Sequence, residues 1–237
     1  MMFVFKKSQL FSGILILFFI VFVCGMMKSA VFSDQETFLP SEGRTIIIDA
    51  GHGAPDGGAV GESGVLEKDL NLSVALMLQK FLESGGTHVL LTRSDDNGIY
   101  DISGSIKNKK VSDIKNREKF MKEMDADVFV SIHMNKFPEK KYSGPQVFYS
   151  VNDEESKIIA ESIQRNMIAV LSPVSEREIK PADKNIYLLT NASVPAVLVE
   201  CGFLSNPEEE QNLKDKNYQR RLAWAVYCGM LEYFNEK

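Results

Sequence analysis

The chain is 237 residues long, 44% hydrophobic and 25% charged, which fits one good-sized globular domain with a short appendage. A net charge of -5 leaves no basic footprint and argues against nucleic acid as a partner. The cysteines Cys24, Cys201 and Cys228 all lie in apolar surroundings, which excludes a disulfide framework and a thiolate zinc knuckle.

Residues 1–33 read as a signal peptide or membrane anchor. Lys6 and Lys7 give the positive flank, and residues 8–27 carry no charge. About twenty such residues just span a bilayer, with the amino end cytoplasmic. Cleavage near Val31-Phe32-Ser33 is the competing outcome. In either case the rest of the chain is expected outside the cytoplasm. Residues 34–43, with Pro40 and scattered charge, read as a linker, and the remaining 44–237 as a single catalytic domain.

Ile46, Ile47 and Ile48 are three β-branched residues in a row, the pattern of a strand buried on both faces. The stretch 51–64 is then dense in glycine, so the backbone must turn tightly or approach something closely. His52 sits inside this break, where open α/β sheets place ligands. Residues 66–84 follow with apolar positions at helical spacing, and 89–92 read as a short strand. The polar run 93–111 reads as an exposed loop and 112–124 as a charged helix. Residues 127–132 make a second buried strand running into His133. A basic loop covers 136–144, and 146–150 form another strand. Asn152 with Glu155 looks like the cap of a helix reaching about Leu171. After a polar connection over 173–185, residues 186–189 read as a short strand and 196–199 as a third buried one, running into Glu200. Asn206-Pro207-Glu208-Glu209 is a helix-start signature, and 218–234 a largely buried terminal helix. Strands alternating with helices predict an α/β fold: a mainly parallel or mixed central sheet with helices on both faces.

Three buried strands thus lead into proton-binding groups: His52, His133 and Glu200. Parallel strands bring their carboxyl ends to one edge, so these groups converge despite their separation. Glu67 opens the helix after the glycine loop, and a short loop can fold it over His52. Two histidines and a glutamate are the ligand set of a catalytic zinc site with an open position. A remaining acid would shuttle protons. On chemistry alone Glu67 and Glu200 can exchange roles, and Glu62 or Asp56 compete. Asp49 could instead orient an imidazole. Cys201 should point away if Glu200 points in, because adjacent strand residues face opposite ways. His88 reads as structural or exposed. Taken singly, each group has an ordinary explanation: a structural histidine, a paired core acid, a charge at a helix start. Their recurrence at corresponding element ends does not.

IIIDAGHGAPDGGAVG, GVLEKDLNL, LLTR, VFVSIHMN and VPAVLVECGFLSN, in this order, resemble the zinc-dependent N-acetylmuramoyl-L-alanine amidases of the third amidase family. The resemblance implies that Zn2+ is held by His52, Glu67 and His133, that Glu200 is the catalytic acid/base, and that peptidoglycan is the substrate. It places arginines of the family at Arg93 and Arg117, expected to be structural. The leader and single catalytic domain are similar to the branch acting on spore-cortex peptidoglycan, where removal of the peptide precedes muramic-δ-lactam formation. About forty-five residues separate Ser150 from Ala196, too few for the long inhibitory helical insertion of some members. An open groove is therefore expected, with control by expression, zinc loading or an accessory regulatory protein. Two rival readings keep the metal: a peptidase cutting within the stem peptide, and a non-catalytic wall-binding protein.

Overall fold

The computed structural model describes residues 15–22 and 39–237. Residues 15–22 are helical. Most of the expected leader and of the linker, including Cys24 and the cleavage site, lies outside the described residues. No helix among the described residues is long and apolar enough to cross a membrane.

Residues from Leu39 to Lys237 form one compact unit. The last part of the expected linker belongs to it: Ser41 is buried and its carbonyl accepts from Thr87 Oγ1 at 3.0 Å. The strands are β1 (Thr45–Ala50), β2 (His88–Leu91), β3 (Val128–Asn135), β4 (Gln146–Tyr149), β5 (Lys180–Pro181) and β6 (Ala196–Phe203). The helices are α1 (Glu67–Ser84), α2 (Ile106–Glu123), α3 (Glu154–Leu171), α4 (Tyr187–Thr190), α5 (Pro207–Lys214) and α6 (Lys216–Asn235). The six strands form one sheet in the order β2-β1-β3-β6-β4-β5. Strands β2, β1, β3 and β6 run parallel, and β4 runs antiparallel to β6. The sheet is therefore mixed, with helices on both faces, as the alternation of elements predicts.

Side-chain alternation divides the core. Ile46, Ile48, Val130, Val197 and Val199 pack with α1, α3 and α6 in the larger cluster. Ile47, Phe129, Ala196 and Leu198 face the other way, with Met121 of α2 and Leu188 and Leu189 of α4. Strands paired on both edges and covered on both faces favour apolar side chains, which is why residues 46–48 and 128–130 read as continuous hydrophobic runs; buried Asp49 and Ser131, which follow them, bond to each other. Each fully buried Ile contributes roughly 1.5–3 kcal/mol of apolar burial.

Several boundaries depart from expectation. Residues 186–189 are not a strand; α4 is one helical turn. A four-residue apolar run carries no usable periodicity, and burying adjacent Leu188 and Leu189 in one cluster suits a helical turn. Helix α2 begins at Ile106, inside the expected loop, because Ser105 caps it by accepting from the Asn108 N–H. Its first turns are rich in Lys and Asn and show no apolar stripe. Asp153, not Asn152, caps α3, accepting from Glu155 N. The two-residue β5 falls within the expected polar connection.

This topology creates the site. The connection leaving β1 runs toward β2, and that leaving β3 runs toward β4 on the opposite side. A crevice opens between the carboxyl ends of β1 and β3, as at other switch points of α/β sheets.

Candidate active site

His52, Glu67 and His133 meet at this crevice. They offer ligand atoms all within 4.8 Å of one another, a group able to hold a metal ion. His52 Nε2 lies 3.1 Å from Glu67 Oε2, and His133 Nδ1 lies 2.9 Å from Glu67 Oε1. The two imidazole rings stand 5.1 Å apart at 75°. Both are partly open to solvent, with side chains 23% and 19% exposed, whereas Glu67 is 5% exposed.

Glu67 arrives here through the glycine loop. The first N–H groups of α1 have no side-chain cap; instead Glu67 N and Lys68 N donate to the carbonyls of Ala59 and Gly57. The Ala59 N–H in turn donates to Glu67 Oε2 at 2.8 Å. Loop and helix start thus clasp each other, and the carboxylate is turned inward. A side chain at Gly58 would place its Cβ 2.5 Å from Glu67 Oε2 and 2.8 Å from the His52 ring, at a φ of +68. Only glycine fits that position. A Cβ at Gly51 would collide with the His133 ring.

His52 itself adopts the left-handed conformation, φ +62. This costs about 1–2 kcal/mol for a residue with a Cβ, so surrounding contacts must hold it. Arg117 Nη2 donates to the His52 carbonyl at 2.6 Å, and Arg117 Nη1 to Ala50 O at 2.8 Å. Arg93 Nε donates to Ala50 O at 2.8 Å and Arg93 Nη2 to Gly51 O at 3.0 Å. Both arginines are buried, and their role is the structural one expected of them.

Asp56 does not join the metal group. Its Oδ2 accepts from His52 Nδ1 at 2.8 Å, leaving Nε2 to face Glu67. Lys110 of α2 pairs with the other oxygen at 2.9 Å. The orienting part considered for Asp49 is therefore taken by Asp56. Asp49 lies beneath, paired with buried Arg117 and accepting from Thr92 Oγ1 and Ser131 Oγ. Glu62 pairs with Lys140, away from the cluster. His88 begins β2 and is exposed.

Glu200 is the register partner of His133 across β3 and β6. Both groups lie within their strands rather than at the final residue; β3 runs on to Asn135 and β6 to Phe203. Glu200 Oε2 is enclosed and has no hydrogen-bond partner, an unusual state for a carboxylate oxygen. Cys201 points to the opposite face, into the larger core cluster, as alternation requires.

Burial pushes the Glu200 carboxyl up to about 7, aided by the Glu67 charge and opposed by the two histidines. Burial alone would also raise Glu67, but the hydrogen bonds of His133 and His52 hold it far below the carboxylate range. For His52, burial is outweighed by its bonds to Asp56 and Glu67, and its pKa rises to about 9. That value exceeds the ordinary 6.5, so the His52 proton stabilises the fold below about pH 6.5, and this contribution is lost as pH rises through 9. A divalent cation must displace the same proton. Added metal is therefore expected to raise the melting temperature more at pH 8.5 than at pH 6.5, in calorimetry at fixed free metal. An equal or smaller rise at pH 8.5 would contradict this.

The family pattern described as N-acetylmuramoyl-L-alanine amidase matches residues 46–232. The chain is 35% identical over 239 residues to the germination-specific N-acetylmuramoyl-L-alanine amidase of Bacillus subtilis (strain 168), covering 98% of this chain and 97% of that one. Its structure is similar to the CwlD amidase from Clostridioides difficile in complex with the GerS lipoprotein. The TM-score is 0.79 and the identity 41%, over 82% of this chain and 100% of the other. An N-acetylmuramoyl-L-alanine amidase from Clostridium difficile 630 matches with a TM-score of 0.71 at 31% identity, covering 82% and 98%. Fold, sequence pattern and the converging histidine–glutamate group agree, and the chain belongs to the N-acetylmuramoyl-L-alanine amidase family.

Proposed function

We propose that this chain cuts the amide between N-acetylmuramic acid and L-alanine in peptidoglycan, with Zn2+ held by His52, Glu67 and His133 and with Glu200 as acid/base. The observation that carries this reading is Glu200: an enclosed carboxylate oxygen with no partner, on the register partner of a histidine in the metal group. Two imidazoles and one carboxylate within 4.8 Å suit zinc with a position left open. Bound zinc supplies Lewis acidity, raising the acidity of water and polarising a carbonyl.

The chain's own groups do the rest. Asp56 and Glu67 fix the His52 ring between them, and the arginine clasp fixes its backbone. Glu200, ionised above about pH 7, takes the proton of the attacking water as it adds to the lactyl carbonyl. It then hands that proton to the departing amine of L-alanine. The products are a free lactyl carboxylate on the glycan and a stem peptide with a free amino end.

Likeness to the germination-specific relative points to the spore cortex as the layer acted on and to a place outside the cytoplasm. The residues preceding Leu39 would serve as anchor or cleaved signal. A solved relative stands in complex with a lipoprotein, and by that likeness an accessory protein is the expected partner.

Mass spectrometry of purified peptidoglycan after digestion tests the reading. Intact stems beginning with L-alanine are expected. Peptides cut within the stem would favour the peptidase instead, and no release at all would leave a wall-binding protein.

A further inference from the structure

Beside the site lies a cleft of about 320 Å³ that the chemistry above does not use. Four aromatic side chains line it: Phe137, Tyr142, Phe148 and Phe203. Two cations complete it, Arg177 from the connection after α3 and Lys180 of β5. No acidic residue lines it. In a protein of net charge -5, a lining whose charged members are both cations, beside the reacting groups, marks a preference for anions.

Register ties the cleft to the site. Gln146, on its wall, stands opposite Glu200 in the β4–β6 pair, and Glu200 stands opposite His133. Register partners share a face, so the cleft opens one strand spacing, about 4.8 Å, beyond the His133–Glu200 pair. A substrate whose reacting amide rests at that pair extends one of its two arms here.

The cleft is built rather than incidental. Arg177 lies 5.0 Å over the Phe203 ring, and its Nε donates to Gln146 Oε1 at 3.2 Å. Gln146 is itself fixed by donating to Glu178 O at 2.7 Å. Phe137 and Tyr142 meet edge to face at 5.0 Å. Glu209 is nearby, but its oxygens accept from the Gly144 and Phe203 N–H groups, both at 2.7 Å. The ion pairs among the described residues include neither Arg177 nor Lys180.

We infer that this cleft is the subsite for the stem peptide, in which Arg177 and Lys180 bind a free carboxylate of that peptide while the aromatic rings pack its apolar parts. The inference rests on the amidase reading above. Of the two arms flanking the scissile bond, the glycan presents neutral N-acetylated sugars, and the stem carries free carboxylates. A cationic lining complements only the second. Arginine and lysine on separate segments can close on one carboxylate from two sides. Because Arg177 contacts Gln146 and Phe203 rather than the reacting groups, the contact acts chiefly on binding.

The test uses two soluble muramoyl-peptides, one with free stem carboxylates and one with those carboxylates amidated. The full chain is expected to show a KM roughly tenfold higher on the amidated substrate, with kcat changed less than threefold. Arg177→Gln with Lys180→Gln should raise KM roughly tenfold on the free-carboxylate substrate and leave the amidated one unaffected. Arg177→Lys, which keeps the charge, should recover most of the loss. Equal kinetics on both substrates for the unsubstituted chain overturns the subsite and leaves the amidase reading standing. So does a loss of equal size on both in the double variant. Failure of the unsubstituted chain to cleave either substrate overturns the amidase reading, and the subsite with it.

Discussion

Glu200→Gln is expected to cut turnover by orders of magnitude while leaving zinc binding intact. The change removes the carboxyl proposed to move protons and keeps its size and shape. General acid–base catalysis contributes about 10²–10⁴-fold, so kcat on purified peptidoglycan should fall by that factor. Metal content should not change, because the group able to hold a metal is His52, Glu67 and His133, without Glu200. Stability should hold or rise slightly, since an enclosed carboxylate oxygen without a partner is unfavourable and an amide carries no charge. The acid limb of the unsubstituted protein's rate profile should lie at or below about pH 7, where Glu200 gains its proton and can no longer accept one. A nearby cation holds the carboxylate ionised and moves this limb downward. A variant retaining activity within tenfold, with zinc bound, would remove Glu200 from the mechanism.

Arg117→Ala should give the largest loss of stability of any single change near the site. The side chains of Arg117 and Asp49 are 2% and 1% exposed, and they pair with each other. Removing the guanidinium strands Asp49 as an uncompensated buried charge, which costs about 3–5 kcal/mol. Burial would raise the Asp49 pKa; Arg117 leads the interactions that instead hold it low, so the variant's Asp49 should take up a proton more readily. For a domain of this size the melting temperature should drop by roughly 6–20 °C. Arg117 also clamps the Ala50 and His52 carbonyls and bonds Asp113. Its loss frees the left-handed turn at His52, so metal affinity should fall with stability. Arg117→Lys restores the charge but not the fork, and should recover only part of both. Thermal unfolding and metal titration together check this, and an unchanged melting temperature would contradict it.

The parts of the fold legible in the sequence were those where burial is total. Residues 46–48 and 128–130 are apolar on both faces because the sheet is covered on both sides. Helix α1 announced itself through Leu70, Val74, Met77, Leu78 and Phe81 at helical spacing. The start of α2 did not, because residues 106–110 are exposed or nearly so and carry no apolar stripe. Likewise α4 is too short for any period to register. The convergence of His52, Glu67 and His133 was readable, since topology brings the carboxyl ends of parallel strands together and a short loop folds the start of α1 over them. The division of labour among the acids was not. Asp49 and Asp56 differ only in which side of the left-handed turn they reach, and that turn is set by Arg117, 65 positions from His52 in the chain. The cleft holding Arg177 was hidden for the same reason: its walls come from four separate segments, joined by the pairing of β3 with β6 and of β4 with β5 and β6.

Elemental analysis of the purified full chain, alongside His52→Ala, Glu67→Gln and His133→Ala, tests the shared-ion site most directly. One zinc per chain is expected in the unsubstituted protein, and much less than one in each variant, with circular dichroism showing the fold retained. Three folded variants that each keep a full equivalent of zinc would mean that these side chains do not hold it.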